Sequence, residues 1–210
     1  LDDANPPFYR WFPDGVTNAC YNALDLHVAQ GRGDQLALLY DSPVTDSKAQ
    51  YTYAQLLHEV ARFAGVLAAL GVGVGDRVLI YMPMVPEAAI AMLACARIGA
   101  IHSVVFGGFA SHELAVRIGD ATPRVIVAAS CGVEPSRIVP YKPLLDEALA
   151  EARHAPEHCI ILQRAQYPAD LIAGRDHDWA RLMANAQTVD CVQLNANDPL
   201  YILYTSGTTG

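Results

Sequence analysis

The densest chemistry in the chain lies at its end, in Tyr204-Thr205-Ser206-Gly207-Thr208-Thr209-Gly210. Side-chain hydroxyls and backbone N–H groups at the exit of a strand can ring an oxyanion. Glycine adds close approach and positive φ. The apolar run Pro199 to Thr205 supplies the strand. This is not the P-loop of nucleoside triphosphatases, which needs a longer loop ending in Gly-Lys-Ser/Thr. The same composition also describes a plain hydroxyl-rich turn, and composition leaves both readings open. A glycine-rich loop ordinarily leads into the structure it serves, so the chain reads as a fragment cut inside a functional loop.

Phe106-Gly107-Gly108 is the second candidate, at the C-terminal end of the predicted strand Ile101 to Phe106. Ligands of open α/β sheets gather at that end. An exposed Phe offers a purine a stacking face, and two glycines admit close backbone approach; the alternative is a buried Phe before a tight turn. Gly71-Val72-Gly73-Val74-Gly75 lacks GxGxxG spacing and follows a helix, so it reads as a helix stop. His102, His112, His154, His158 and His177 show no metal-ligand spacing. Cys20, Cys95, Cys131, Cys159 and Cys191 are scattered without a CxxC pair, and predict neither a zinc site nor a disulfide framework.

These residues need a scaffold, and an alternating pattern supplies it. Thr17 is placed to cap a helix to about Ala29, and Leu36 to Tyr40 and Gln50 to Tyr53 read as a hairpin. Helices from about Leu56 to Leu67, Pro86 to Arg97, Ser111 to Ile118 and Leu144 to Ala152 alternate with strands Val78 to Met82, Ile101 to Phe106, Arg124 to Ala129 and Cys159 to Leu162. A short helix falls near Trp179 to Met183, after a surface loop from Gln163 to Asp178. The fold class is α/β, built of βαβ units with a parallel sheet covered on both faces. An aromatic arm from Asn5 to Gly15 precedes it and reads as packing its rings on another surface.

Composition narrows the partners. With 52% hydrophobic and 17% charged residues, the chain is not disordered. Twenty-two acidic against fourteen basic residues give a net charge of −8, which argues against a nucleic-acid backbone as partner. The longest uncharged run, Ile98 to His112, falls short of the ~20 apolar residues of a membrane span. Small-molecule substrates are the expected partners, and unpaired cysteines predict a reducing, cytoplasmic compartment. Leu1 in place of Met leaves the true start, and any removed targeting segment, open.

The terminal heptapeptide resembles the phosphate-binding signature of the adenylate-forming superfamily, whose members continue with a Pro-Lys-Gly element. The stretch Tyr81-Met82-Pro83-Met84-Val85-Pro86-Glu87-Ala88 is similar to the acetyl- and propionyl-CoA synthetase branch. So are Met92 to Phe109 and the N-terminal arm through Asn22. Three segments look more like propionyl-CoA synthetase: Tyr40 to Thr45, Ala129 to Pro135, and Tyr141 to Ala148. The resemblance covers nearly the whole chain. It implies an N-terminal arm and helix over residues 1–35 and an incomplete AMP-binding domain over 36–210, part of the large N-terminal domain of an adenylate-forming enzyme.

By that resemblance the protein is an ATP-dependent ligase forming acyl-CoA from a short-chain carboxylate, propionate in the first instance, with Mg2+, ATP and coenzyme A as substrates or cofactors. Thr205, Ser206, Gly207, Thr208, Thr209 and Gly210 are implied to bind ATP phosphates. Phe106, Gly107 and Gly108 are implied to meet the CoA adenine, and Arg137 a CoA phosphate. A second phosphate-binding arginine of the relatives is Glu134 here, which implies a different or weaker hold on CoA. The catalytic lysine and the acyl pocket are implied to lie outside these residues, so no catalytic residue is assigned and the chain alone is expected to be inactive. Alternatives are an acetyl-CoA synthetase, an enzyme loading a carrier protein, or a non-catalytic CoA- or nucleotide-binding module.

Overall fold

A computed structural model describes residues 1–205. In chain order it holds β1 (Val16–Thr17), a π-helical turn (Tyr21–Asp25) continuing as α1 (Leu26–Ala29), β2 (Leu36–Ser42), β3 (Ser47–Thr52) and α2 (Tyr53–Ala69). Then come β4 (Arg77–Met82), α3 (Pro86–Ile98), β5 (Ile101–Phe106), α4 (Ser111–Ala121), β6 (Val125–Ala129), β7 (Cys131–Glu134) and β8 (Arg137–Pro140). The rest are α5 (Tyr141–Glu151), β9 (His158–Leu162), β10 (Asp176–Asp178), α6 (Trp179–Ala184), β11 (Leu194–Asn195) and β12 (Tyr201–Ile202).

Six strands form one parallel sheet in the order β10-β9-β6-β4-β5-β12. Its central strands are continuous apolar runs because both faces are covered: every residue of β6 and Val78 to Tyr81 of β4 are fully buried. Helix α2 packs on α3, and α4 on α5. A capping box, in which Thr52 and Gln55 bond each other's backbone N–H, starts α2. Pro86 starts α3 with its φ already set for a helix, and Gly99, at φ 74°, ends it in the left-handed conformation.

Two polar ties fix the periphery. Arg97, at the end of α3, reaches Asp25 with Nη1 at 2.8 Å and Nη2 at 3.0 Å. Lys142 of α5 and Arg175 both bond Asp146 and the buried Asp176 at the start of β10. Hydrogen bonds from Arg175, the Ile172 N–H and Lys142 outweigh burial and hold the Asp176 carboxyl below its usual range.

Some boundaries differ from the sequence reading. Asn18, not Thr17, caps the first helix: its Oδ1 accepts from the N–H groups of Cys20 and Tyr21. Its amide also donates to the carbonyls of Ala96, Arg97 and Val192, so a long-range anchor outbid the local cap. The expected loop from Gln163 to Asp178 ends in β10, recruited to the sheet edge by β9. Hairpin β7–β8 was not read from the sequence. Phe8, Trp11 and Phe12 of the arm are largely exposed, while the arm's end is held by the β1–β11 pair.

Candidate functional site

The connection from β4 to β5 moves the chain one way across the sheet, and the next connection carries it back past β4 to β6. The loops after β4 and β5 therefore lead to helices in different layers and part at the strands' C-terminal ends. Met82 and Phe106 stand opposite each other there. A crevice of about 400 Å³ opens between those loops, the tip of the β2–β3 hairpin, and the β7–β8 hairpin.

Phe106, Gly107, Gly108 and Glu134 line this crevice, so residues scattered in the sequence are brought together. Phe106 is 70% exposed and is not the buried Phe of the alternative reading. Its strand alternates, burying Ser103 and Val105 and turning Val104 and Phe106 outward. The ring meets Phe109 edge-on at 5.8 Å between centroids.

The glycines serve packing here. A Cβ on Gly107 would lie 2.6 Å from the Tyr141 hydroxyl, and one on Gly132 would lie 2.4 Å from it. Tyr141 is thus clamped between the loop after β5 and strand β7, with its ring 4.9 Å from that of Tyr81. Burial pushes the Tyr141 phenol up, which keeps it protonated. A Cβ on Gly108 would lie 3.2 Å from a Phe106 ring carbon, so the ring rests over this glycine.

Arg137 stands on β8 and pairs with Glu134 across the hairpin, Nε to Oε2 at 2.7 Å. That hydrogen bond lowers the Glu134 carboxyl. The cation and the acid that the sequence set in opposition are each other's partners at the rim of the crevice.

Of the terminal loop only the start is described; Ser206, Gly207, Thr208, Thr209 and Gly210 lie outside the described residues. Parallel pairing of β12 with β5 brings Tyr204 and Thr205 to the same edge as Phe106. Tyr204 donates its hydroxyl to Asp120 Oδ2, and the Arg117 guanidinium lies over both the Tyr204 and Phe109 rings, 5.1 and 4.6 Å from their centroids. Helix α4 thereby couples the loop's start to the aromatic pair.

Sequence reasoning missed Tyr141 and Arg164. Tyr141 sits one residue past a proline at a helix start, a position with no chemical signal. Arg164 fell in the supposed surface loop, but it lies two residues past β9, and that strand-end position was the available clue. Among the described residues one group has metal-ligand geometry: Cys20, Asp25 and Cys191, whose ligand atoms lie within 4.8 Å of one another. The Arg97 guanidinium, 3.0 Å from Cys191 Sγ, already supplies the positive charge of that cluster.

Comparison with known proteins agrees with this architecture. Residues 26–210 match the family described as AMP-binding enzyme, and residues 1–23 match the acetyl-coenzyme A synthetase N-terminus. The mitochondrial acyl-CoA synthetase short-chain family member 3 of Rattus norvegicus is 54% identical over 211 residues, covering 100% of this chain and 31% of that protein. The propionate–CoA ligase of Escherichia coli is 49% identical over 212 residues, covering 100% of this chain and 34% of the ligase. The chain thus spans about a third of the length of these curated relatives. A crystal structure of a Brucella canis acyl-CoA synthetase superposes with a TM-score of 0.76 at 24% identity, over 94% of this chain and 33% of that one, a likeness of fold.

Proposed function

The chain belongs to the AMP-binding enzyme family, in its short-chain acyl-CoA synthetase branch, and on that footing we propose that its protein is an ATP-dependent propionate–CoA ligase. The observation that carries the reading is the crevice at the switch between β4 and β5. It joins the exposed Phe106 to parts of all three propionyl-type segments: Tyr40 to Thr45, Val133 with Glu134, and Tyr141.

In the first half-reaction a propionate oxygen attacks the α-phosphorus of Mg–ATP, giving propionyl-adenylate and pyrophosphate. In the second, the CoA thiol attacks the acyl carbon and AMP leaves. Two anions meet in the first step, so hydrogen-bond donors must hold the phosphates, and Thr205 to Gly210 are assigned that task. Mg2+ enters with ATP as substrate. Phe106 stacks the CoA adenine, Gly107 and Gly108 shape the surface beneath it, and Arg137 at the rim offers a phosphate its guanidinium. Residues 1–35 form the arm and helix, and 36–210 belong to the AMP-binding domain. No helix among the described residues is long and apolar enough to cross a membrane. Five unpaired cysteines support the cytoplasm as the compartment, although the rat relative is named as mitochondrial.

The test is kcat/KM of the full-length protein for propionate, acetate and butyrate at saturating ATP and CoA. Propionate should exceed acetate by about 10- to 200-fold, the worth of one methylene in an apolar pocket. A higher value for acetate overturns the substrate and leaves the reaction class; no thioester from any acid, with ATP–pyrophosphate exchange intact, favours an enzyme that loads another acceptor.

A further inference from the structure

Two arginines flank the crevice, and they are in opposite electrostatic states. Arg137 is largely exposed and engaged by Glu134. Arg164 is half-buried and, among the described residues, has no carboxylate in ion-pair contact. Its backbone N–H donates to the Oγ of the fully buried Ser130 at 2.9 Å, and Nη1 donates to the Cys131 carbonyl at 3.1 Å. Ser130 is itself fixed, because its N–H donates to the Leu162 carbonyl and its carbonyl accepts from the N–H of Tyr141. The side chain is therefore held at its root and by one of its five N–H donors.

Arg164 lines the crevice beside Glu134 and Tyr141, and its other side borders an adjoining cavity of about 290 Å³ that also holds Glu87. A guanidinium held this way matches a phosphate with two parallel N–H···O bonds, and partial burial strengthens them. The same crevice presents the open face of Phe106. An aromatic face and a preorganised cation in one cavity fit a ligand that carries both a planar base and a phosphate.

We propose that Arg164 is the phosphate-binding residue inside this crevice, holding a phosphate of the nucleotide whose base lies on Phe106. The proposal rests on the CoA reading above. It also answers the problem set by Glu134: inside the crevice a second positive charge comes from the end of β9, beside the rim Arg137 that Glu134 engages.

The test is the dissociation constant of CoA and of 3′-dephospho-CoA, measured calorimetrically on the full-length protein with AMP and propionate saturating. Wild type is compared with Arg164→Gln, Arg164→Lys and Phe106→Ala, each with its ligand-free Tm. Arg164→Gln should weaken CoA by about ten- to a hundredfold, the value of a charge-assisted bond, and Arg164→Lys by less. A loss confined to CoA assigns the 3′-phosphate, and an equal loss for both ligands assigns the 5′-diphosphate. If Phe106→Ala weakens CoA and Arg164→Gln changes it less than twofold, Arg164 is overturned while the crevice reading stands. If neither variant weakens CoA, both fall. Equal losses in the Gln and Lys variants, with a matching drop in ligand-free Tm, assign Arg164 a structural role and overturn the proposal.

Discussion

Arg137 and Glu134 are bound to each other across the two-residue turn of the β7–β8 hairpin, through Nε–Oε2 at 2.7 Å and Nη2–Oε1 at 3.4 Å. The acid therefore draws the rim arginine onto its own hairpin, and phosphate must compete with it. Exposed pairs of this kind are weak, so the effect is modest. Glu134→Gln should lower the KM for CoA by about two- to fivefold, and Glu134→Arg by more. The gain should shrink as salt rises, since solvent-exposed charges are screened. A KM that is unchanged in both variants at low salt removes Arg137 from the CoA site.

Gly107 and Tyr141 give a second prediction, about stability. A Cβ on Gly107 would stand 2.6 Å from the Tyr141 hydroxyl and 2.9 Å from the Met82 carbonyl, and the latter is backbone that cannot swing away. Gly107→Ala should cost about 1–3 kcal/mol in chemical denaturation, the usual price of overpacking. Because the two residues share one clash, Gly107→Ala with Tyr141→Ala should cost less than the sum of the single changes. Strict additivity would show that the Tyr141 ring does not fill the space beside Gly107.

Much of this was legible in the residues. The helices carried their own punctuation: Pro86 and Gly99 bracket α3, and Gly71 follows α2 at φ 82°. The position of Phe106 at a strand end was legible; whether its ring is buried or exposed was not, and the alternation of β5 decides it. What stayed hidden depends on contacts distant in sequence. Asn18 caps the first helix because its amide also spans Ala96 and Val192, 78 and 174 residues away. Strand β10 has three residues and little pattern, and exists because β9 offers it an edge. Hairpin β7–β8 was masked by Gly132, Pro135 and Ser136, residue types that favour turns over strands. Cys20, Asp25, Arg97 and Cys191 come from the first helix, α3 and the segment before β11, and meet only in the folded chain.

His102 makes the stability pH-dependent. It stands on β5 with its ring 5.8 Å from that of Tyr201, and its buried Nδ1 has no hydrogen-bond partner. Burial pushes its pKa down to about 4 from 6.5. The unfolded chain takes up this proton near pH 6.5, and the native state refuses it until about pH 4. Stability is therefore full above the upper value, declines as pH falls through this window, and levels off below it. The loss amounts to about 3 kcal/mol at most. His102→Gln should reduce the slope of urea-derived stability between pH 7 and pH 4.5, with the half-buried His177, also lowered, supplying a remainder of the same sign. The Asp176 carboxyl, held below its usual range, acts at lower pH and does not mimic this effect. An unchanged slope in His102→Gln would mean that the native imidazole titrates normally.

The last prediction concerns the tie between the first helix and α3. Arg97 has a side chain only 4% exposed, and Asp25, 20% exposed, is its counter-charge. Other donors of the guanidinium go to the Val189 carbonyl at 2.6 Å and to Cys191 Sγ at 3.0 Å, neither of which carries the charge of a carboxylate. Asp25→Ala leaves a desolvated cation without that partner, and should cost about 3–5 kcal/mol. For a chain of this size that is a fall in Tm of about 6–20 °C. Replacing both members, as in Asp25→Ala with Arg97→Met, should recover most of the loss, because the penalty belongs to the unpaired charge and not to the missing pair. Asp25→Asn keeps the shape and removes the charge, so it should fall between wild type and Asp25→Ala. The Val189 to Val192 segment is held by this same arginine, since Val192 N–H donates to the Arg97 carbonyl at 2.9 Å, and it leads directly to β11. Faster amide hydrogen exchange at Val192 in Asp25→Ala than in the double variant would confirm that the ion pair, and not helix packing alone, holds the segment. Equal stability of Asp25→Ala and wild type would mean that Arg97 reaches water and that the tie carries no load.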